Sequence, residues 1–359
     1  MNSTKVSVQG LARFVTACFT SLGVSEEDAR ITADVLIEAD RRGIASHGVA
    51  RLKRYTDGIA TGVILPETRY KVLRETANTL LVTGGNGLGQ PVSHRAMRSV
   101  IDKAKEKDVA LAAVRDSNHY GIAGYYAMMA LTDGLIGLSA SNAFPLVVPT
   151  FSKDALLGTN PIAVAAPTSG AMPFVLDMAT STVTRGKLEE YNRHGMPIPP
   201  VWGTDAHGSP TTDAAAVLKD VVARRGGGLL PLGGAGEETG GHKGFGLAML
   251  VEILTGILSG GAFGPHVYGR PNAPANVCHF FAAIRIEAFI PLDEFTAALA
   301  AFVELLHGSE KAKGYDRSYV HGEKEFQRAK EQQEHVQIAD KVVSEIERIG
   351  KGLGVTADF

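Results

Sequence analysis

Apolar side chains at Leu11, Phe14, Val15, Cys18, Phe19 and Leu22 fall at i, i+3, i+4, i+7, i+8 and i+11, the spacing of one helix face. Gly23 stops that stripe. Ser25 followed by Asp28 has the form of a capping box for a second helix, expected to end near Gly43. A third, short helix is expected from Ser46–His47 through Tyr55. From about residue 70 the pattern changes. Residues 70–83 read as a β-hairpin, the glycine-rich residues 84–90 as a turn, and a helix follows to about residue 106. Short apolar runs at 109–115, 135–140, 161–167 and 173–177 read as strands, with a helical stretch at 120–132. Residues 195–213, rich in Pro, Gly and Thr, read as loop. Ten glycines crowd residues 226–246 before LAMLVEILTGIL begins a long apolar helix. Residues 277–290 alternate like a buried strand, 292–306 read as a helix, 308–333 are highly charged, and a last helix is expected over about 335–350. This order is not a clean βαβ alternation, which argues against a standard doubly wound sheet.

Composition narrows the class. At 359 residues the chain is too long for one simple core. Lys plus Arg number 36 and Asp plus Glu 38, so no basic excess points to nucleic acid or a membrane surface. The 41 glycines exceed ordinary usage and suit the close backbone approaches of a small-ligand site. Cys18 lies on a helix stripe and Cys278 in an apolar run, so both read as buried thiols. No signal-peptide pattern or membrane-spanning apolar stretch is visible, and a cytoplasmic protein is expected. The eleven histidines show no close metal-ligand spacing, and no metal is expected.

Four segments could carry chemistry. In ASHGVARLKRY, residues 45–55, a helix starting at Ser46 would set His47 and Arg51 four residues apart, with Cβ atoms roughly 5–6 Å apart. Such a pair could protonate the carbonyl of a 2-oxo acid and hold its carboxylate. On spacing alone, a surface helix with scattered basic residues is the commoner explanation. In RDSNHYGIAGYYAMMA, residues 115–130, a polar turn precedes a small-residue helix start, which suits phosphate or serves as an ordinary corner. Thr159 and Asn160 sit in a turn before a strand, Asp177 ends the next strand, and Arg185 and Lys187 could neutralise an anion; caps explain these positions equally. GGHKGFG, residues 240–246, is an anion cradle or a flexible loop, and it lacks the spacing of a Walker motif. No G-x-G-x-x-G follows a strand, so any dinucleotide site is not of the Rossmann kind.

Taken in order, SHGVARLKRY, DSNHYGIAGYYA, GTNPIA, LDMATS, RGK, GMPIPP, GGHKGFGLAMLVEIL and YVHGEKE resemble the second type of malate/L-lactate dehydrogenase family across nearly the whole chain. That family includes archaeal malate and sulfolactate dehydrogenases, ureidoglycolate dehydrogenase, diketogulonate reductase and piperideine-2-carboxylate reductases. The resemblance implies an α/β (α+β) chain with a non-Rossmann, sulfolactate-dehydrogenase-like fold and a mixed or antiparallel central sheet. It implies helical terminal parts: residues 1–70 packing with C-terminal helices in 295–359, around a central cofactor- and substrate-binding core of residues 71–294. It also implies a homodimer, NAD or NADP as cofactor, and a small 2-hydroxy/2-oxo acid as substrate. Malate/oxaloacetate is the first choice, with lactate, sulfolactate and ureidoglycolate as alternatives. His47 matches the catalytic histidine and Ser46 its neighbour; Arg51 and Thr159 match substrate contacts, and Arg185 and Lys187 join them as candidates. His119, Tyr120, Gly121, Ile122 and Ala123 match a cofactor turn, as do Asp177, Met178 and Ala179, then Lys243, then Arg317, Gly322 and Glu323. Some members complete a Ser–His–Asp relay just after the Arg-Gly pair. Lys187 and Glu189 stand in that region here, which argues against piperideine-carboxylate reduction. The competing classes are an anion-binding scaffold of the same fold without chemistry, and a hydrolase using Ser46 and His47. Adjacent residues rarely reach nucleophile–base geometry, which disfavours the hydrolase.

Overall fold

The computed structural model describes residues 2–359. Strand β1 (Ser3–Ser7) leads into α1 (Val8–Ser21), whose start is capped by the Ser7 hydroxyl accepting the Gly10 N–H at 3.2 Å. Helix α2 (Glu26–Arg41) is capped in the same way by Ser25 on Asp28, and three acidic residues in its first turn suit the positive end of the helix dipole. Helix α3 spans Leu52–Ala60. The middle of the chain supplies β2 (Lys71–Glu75), β3 (Thr79–Thr83), α4 (Gly89–Lys107), β4 (Val109–Ser117), α5 (Ala123–Met128), β5 (Leu135–Ser141), β6 (Ile162–Ala166) and β7 (Phe174–Met178). It continues with α6 (Arg185–Arg193), β8 (Gly203–Thr204), α7 (Ala214–Val222), β9 (Gly228–Leu229), α8 (Gly241–Glu252) and β10 (Val277–Arg285). Helix α9 (Leu292–Gly308), α10 (Glu323–Glu331), β11 (His335–Ala339) and α11 (Asp340–Leu353) follow.

Seven strands form the main sheet in the order β2-β3-β4-β10-β5-β6-β7. Only β3 and β4, joined through α4, run parallel; the other neighbours are antiparallel. The sheet is therefore mixed and mostly antiparallel. β10 is central and almost wholly buried, because both its faces are covered. Phe281 and Ala283 pack with α4 and α5 on one side, while Phe280 and Ala282 pack with Val251 of α8 on the other. A separate core joins Leu11, Phe14, Leu36, Val49 and Leu52 to Val336, Ile338, Val343 and Ile346, so the N-terminal helices close on the C-terminal segment. Among the described residues no helix is long and apolar enough to cross a membrane.

Three expectations change. The helix from Ser46 to Tyr55 is broken: two short 3-10 turns, Ala45–His47 and Val49–Arg51, meet at Gly48 before α3 begins. Residues 335–339 are a strand rather than the start of the last helix. They alternate exposed and buried and pair with β1, leaving α11 to begin at Asp340. The helix expected over 120–132 shrinks to α5, because Tyr120, Gly121 and Ile122 remain in an extended turn.

Candidate active site

The turn that carries His47 is built on a buried carboxylate. After α2, Gly43 adopts φ +74°, and the chain doubles back over Asp40. Asp40 Oδ2 accepts the Val49 N–H at 2.7 Å. A Cβ at Gly48 would lie 2.0 Å from the Asp40 carboxylate, so only glycine lets the backbone settle there. Burial pushes the Asp40 carboxyl up to about 7, against the pull of the Val49 N–H. The Arg51 Nε donates to the Ser46 carbonyl at 2.6 Å, which ties the two 3-10 turns together. The Ser46 hydroxyl lies 2.9 Å from His47 Nδ1.

His47 faces a cleft of about 390 Å³ that also gathers Ser46, Arg51, His119, Tyr120, Gly121, Thr159 and Arg185. These expected residues come from four separated stretches of chain. The His47 and His119 rings stack with centroids 5.4 Å apart. The Tyr55 hydroxyl, buried in α3, lies 2.6 Å from His119 Nδ1, and the Gly121 N–H also donates to that nitrogen at 3.4 Å. Gly121 sits at φ +87°, and a Cβ there would lie 2.5 Å from Val35. The turn after β4 is thereby pressed onto α2, bringing the two histidines together. Beneath it, Tyr120 stacks on His279 of β10 at 4.4 Å, and the His279 nitrogens bridge Ser117 and Ser141 at 2.9 Å each.

Electrostatics favour neutral imidazoles. Burial, then the charges of Arg51 and Arg54, lower the His47 pKa to about 4. Burial first, then Arg54 and His47, hold His119 well below its ordinary value. Burial lifts the Tyr55 phenol to about 12, so it stays protonated and donates to His119. On the opposite wall, Asn142 and Asn160 share the buried Glu252 carboxylate at 3.3 and 3.0 Å. A π-helical turn at Ile253–Ile257 directly follows Glu252 in α8. Glu189 also lines the cleft, but it is bonded to Arg185 at 2.8 Å; the hydrogen-bonding partner of His47 Nδ1 is a hydroxyl.

Not every expected residue reaches this cleft. Lys187 does not: α6 begins at Arg185, so Arg185 and Glu189 share its cleft face while Lys187 turns to Glu190 at 3.0 Å and over the Tyr191 ring. Lys243 is exposed on the first turn of α8, outside the cleft. Ile122 and Ala123 are buried at the start of α5. Asp177 lies at the end of β7, where it accepts the Gly124 N–H at 2.7 Å, and Met178 and Ala179 follow it. Arg317 and Glu323 line a separate cleft with His307, and Gly322 packs against Val175 of β7. Arg54, Ser141, Asn142 and Tyr268 line the first cleft without having been singled out. Arg54 carried a signal, since it lies three residues after Arg51 on α3. Tyr268 carried none, because a distant loop delivers it.

The sequence profile of the malate/L-lactate dehydrogenase family matches residues 6–347. A malate dehydrogenase of Pyrococcus abyssi is 47% identical over 99% of this chain and 96% of its own. An L-sulfolactate dehydrogenase of Methanothermobacter thermautotrophicus is 38% identical over 85% of this chain and 86% of its own. Among solved structures, a malate dehydrogenase of Entamoeba histolytica superposes with a TM-score of 0.95 at 33% identity, covering 100% of both chains.

Proposed function

The chain belongs to the malate/L-lactate dehydrogenase family and is an oxidoreductase acting on 2-hydroxy acids, and within that activity we propose that it interconverts malate and oxaloacetate with NAD or NADP, His47 moving the proton. The carrying observation is a neutral imidazole beside a guanidinium in one cleft. The turn at Tyr120 and Gly121 and the apolar walls at Phe144, Leu146 and Pro161, which line the cleft together, fit a nicotinamide ring. A nicotinamide bound there would supply hydride-transfer chemistry at C2 of the acid.

The chain's own residues do the rest. With Ser46 on Nδ1, the His47 Nε2 is left to face the substrate. In oxidation, neutral His47 accepts the C2 hydroxyl proton; in reduction, its protonated form returns that proton to the oxygen. Arg51, pinned through Nε, offers its two terminal nitrogens to the C1 carboxylate. Neutralising Arg51 in this way raises the proton affinity of His47 in the complex. His119, with Nδ1 accepting from Tyr55, presents an N–H to the same oxygen. Thr159 and Arg185 line the remaining wall.

Asp177, Met178 and Ala179 at the end of β7 continue the cofactor surface away from the cleft. Gly322, with Arg317 and Glu323, lies against the same strand and suits the nucleotide end. Lys243 is retained as a more distant contact. The exposed apolar residues Met249, Leu250, Ile253 and Ile257 on and after α8, with Phe302 and Leu305 on α9, support a homodimer, which sedimentation would test. Free, buried Cys18 and Cys278 accord with a cytoplasmic setting.

Turnover of oxaloacetate, pyruvate and 3-sulfopyruvate with each reduced cofactor, followed by nicotinamide absorbance, tests the reading. Absence of activity throughout would sink it. A second reading, in which His119 moves the proton and Tyr55 relays it, is favoured by the 2.6 Å Tyr55–His119 contact. That reading requires Tyr55→Phe to cost as much as His119→Ala while His47→Ala costs little.

A further inference from the structure

The cleft holds more positive charge than one carboxylate needs. Of its three guanidinium groups, Arg185 is paired with Glu189 at 2.8 Å. Arg51 spends its Nε on a backbone carbonyl and keeps its two terminal nitrogens. Among the described residues Arg54 has no carboxylate partner; it donates to the Tyr268 hydroxyl, with its guanidinium carbon 5.5 Å from that ring's centre. Arg51 and Arg54 are three residues apart across the start of α3, so their stems rise side by side, with Cβ atoms roughly 5–6 Å apart.

Tyr268 is held in an unusual way. It is a non-glycine residue at φ +53°, a conformation that bulky side chains rarely adopt. Three contacts maintain it. Its N–H donates to Ala275 at 2.9 Å, its carbonyl accepts from Arg224 at 3.2 Å, and its ring lies 5.8 Å from Phe144. A strained residue fixed from several sides is where a fold commits a side chain to a task. Here the result is a phenol at the cleft wall. Its oxygen accepts from Arg54, which leaves its O–H to donate.

We propose that Arg54 and Tyr268 form a subsite for the distal acid group of the substrate, so that the cleft selects 2-oxo acids bearing a second anionic group at C4 or its equivalent. The inference rests on the 2-oxo acid reading given above and adds to it the residues that choose among such acids. Arg51 takes the C1 carboxylate. Arg54 takes the far carboxylate or sulfonate by charge, and the Tyr268 O–H donates to one of its oxygens. The acid carbons of a four-carbon diacid are separated by two carbons, a span suited to neighbouring arginines on one helical turn.

The test compares oxaloacetate with pyruvate, which lacks the distal group, in the wild-type chain, Arg54→Gln and Tyr268→Phe. Arg54→Gln should lower kcat/KM for oxaloacetate by about 30- to 100-fold, chiefly through KM, and lower the ratio of oxaloacetate to pyruvate kcat/KM by at least about tenfold, the ratio cancelling the change that the lost charge makes at His47. Tyr268→Phe keeps the ring packing and should lower oxaloacetate alone by about tenfold. Succinate should inhibit pyruvate reduction by the wild-type chain and lose that effect in both variants, a readout that survives if one variant folds poorly. Equal losses on both substrates, or a wild-type chain that prefers pyruvate, overturn the subsite and leave the 2-oxo acid reading standing. A wild-type chain that reduces neither substrate overturns both.

Discussion

The cleft around His47 and the cleft between α9 and α10 contain the same ingredients: an imidazole, a guanidinium and a carboxylate. In the second, everything is paired. Glu323 is buried, with one oxygen 3.0 Å from His307 Nε2 and 3.2 Å from the Val320 N–H, and the other against Arg317. Burial alone would raise its carboxyl, but Val320, His307 and Arg317 more than offset that and hold it below the usual range. In the first, the one lining carboxylate, Glu189, is taken by Arg185, and His47, Arg51 and Arg54 are left without one. A closed set of charges contributes to the fold, whereas an open set calls for an anion from outside.

Substitutions can break this contrast. The largest effect is expected for His47→Ala, with kcat reduced by about 10²- to 10⁴-fold and an unchanged urea midpoint. A normal kcat would remove His47 from proton transfer. Glu323→Ala should do the reverse, costing about 3 kcal/mol in urea denaturation because it strands buried partners, with kcat largely retained. Arg51→Gln should raise KM for oxaloacetate by about 30-fold. It should also shift the acidic limb of malate oxidation to higher pH, since Arg51 is among the charges that lower the His47 pKa. In the wild-type free enzyme that limb lies near pH 4, below which His47 is protonated and cannot accept the hydroxyl proton.

Smaller effects belong to buried groups on either side of the cleft. Asp40 has a folded value of about 7 against an ordinary 3.8. The unfolded chain gives up that proton first, so this group subtracts stability as pH rises from about 4 through about 7. Asp40→Asn retains an acceptor for the Val49 N–H and should flatten that slope, whereas Asp40→Ala should cost about 1–3 kcal/mol by orphaning the N–H. His279 acts at the other end of the scale. Its folded value is about 3 against 6.5, so stability falls as pH drops through that window, and His279→Gln should reduce the loss. Thermal melts across pH measure both.

That His47, Arg51, His119 and Thr159 share one cleft followed from the family resemblance of their short segments, not from spacing, which left a plain surface helix the commoner explanation. Their geometry was less legible. The i, i+4 spacing of His47 and Arg51 suggested one helix, but Gly48 is extended and breaks it, seated so close to the Asp40 carboxylate that no Cβ fits. Lys187 was read with Arg185 as a charge that could neutralise an anion, and only the starting point of α6 decides which face it takes. The buried strand read over 277–290 is β10, covered on both faces and ending at Arg285. Strand β11 was hidden. HVQIA is five residues long, runs directly into α11, and pairs with a strand at the other end of the chain.

That partnership governs the order in which the molecule can be assembled. Ser7 pairs with His335 and Ser3 with Ala339, so nearly the whole chain is enclosed by one loop closure. Val336 and Ile338 of β11 also complete the core on which Val49 and Leu52, flanking Arg51, are seated. A nascent chain halted before residue 335 would already contain every side chain of the cleft, yet the floor beneath the His47 turn would be unfinished. The seating of the His47 turn in this architecture therefore depends on a strand far along the chain from the chemistry it supports.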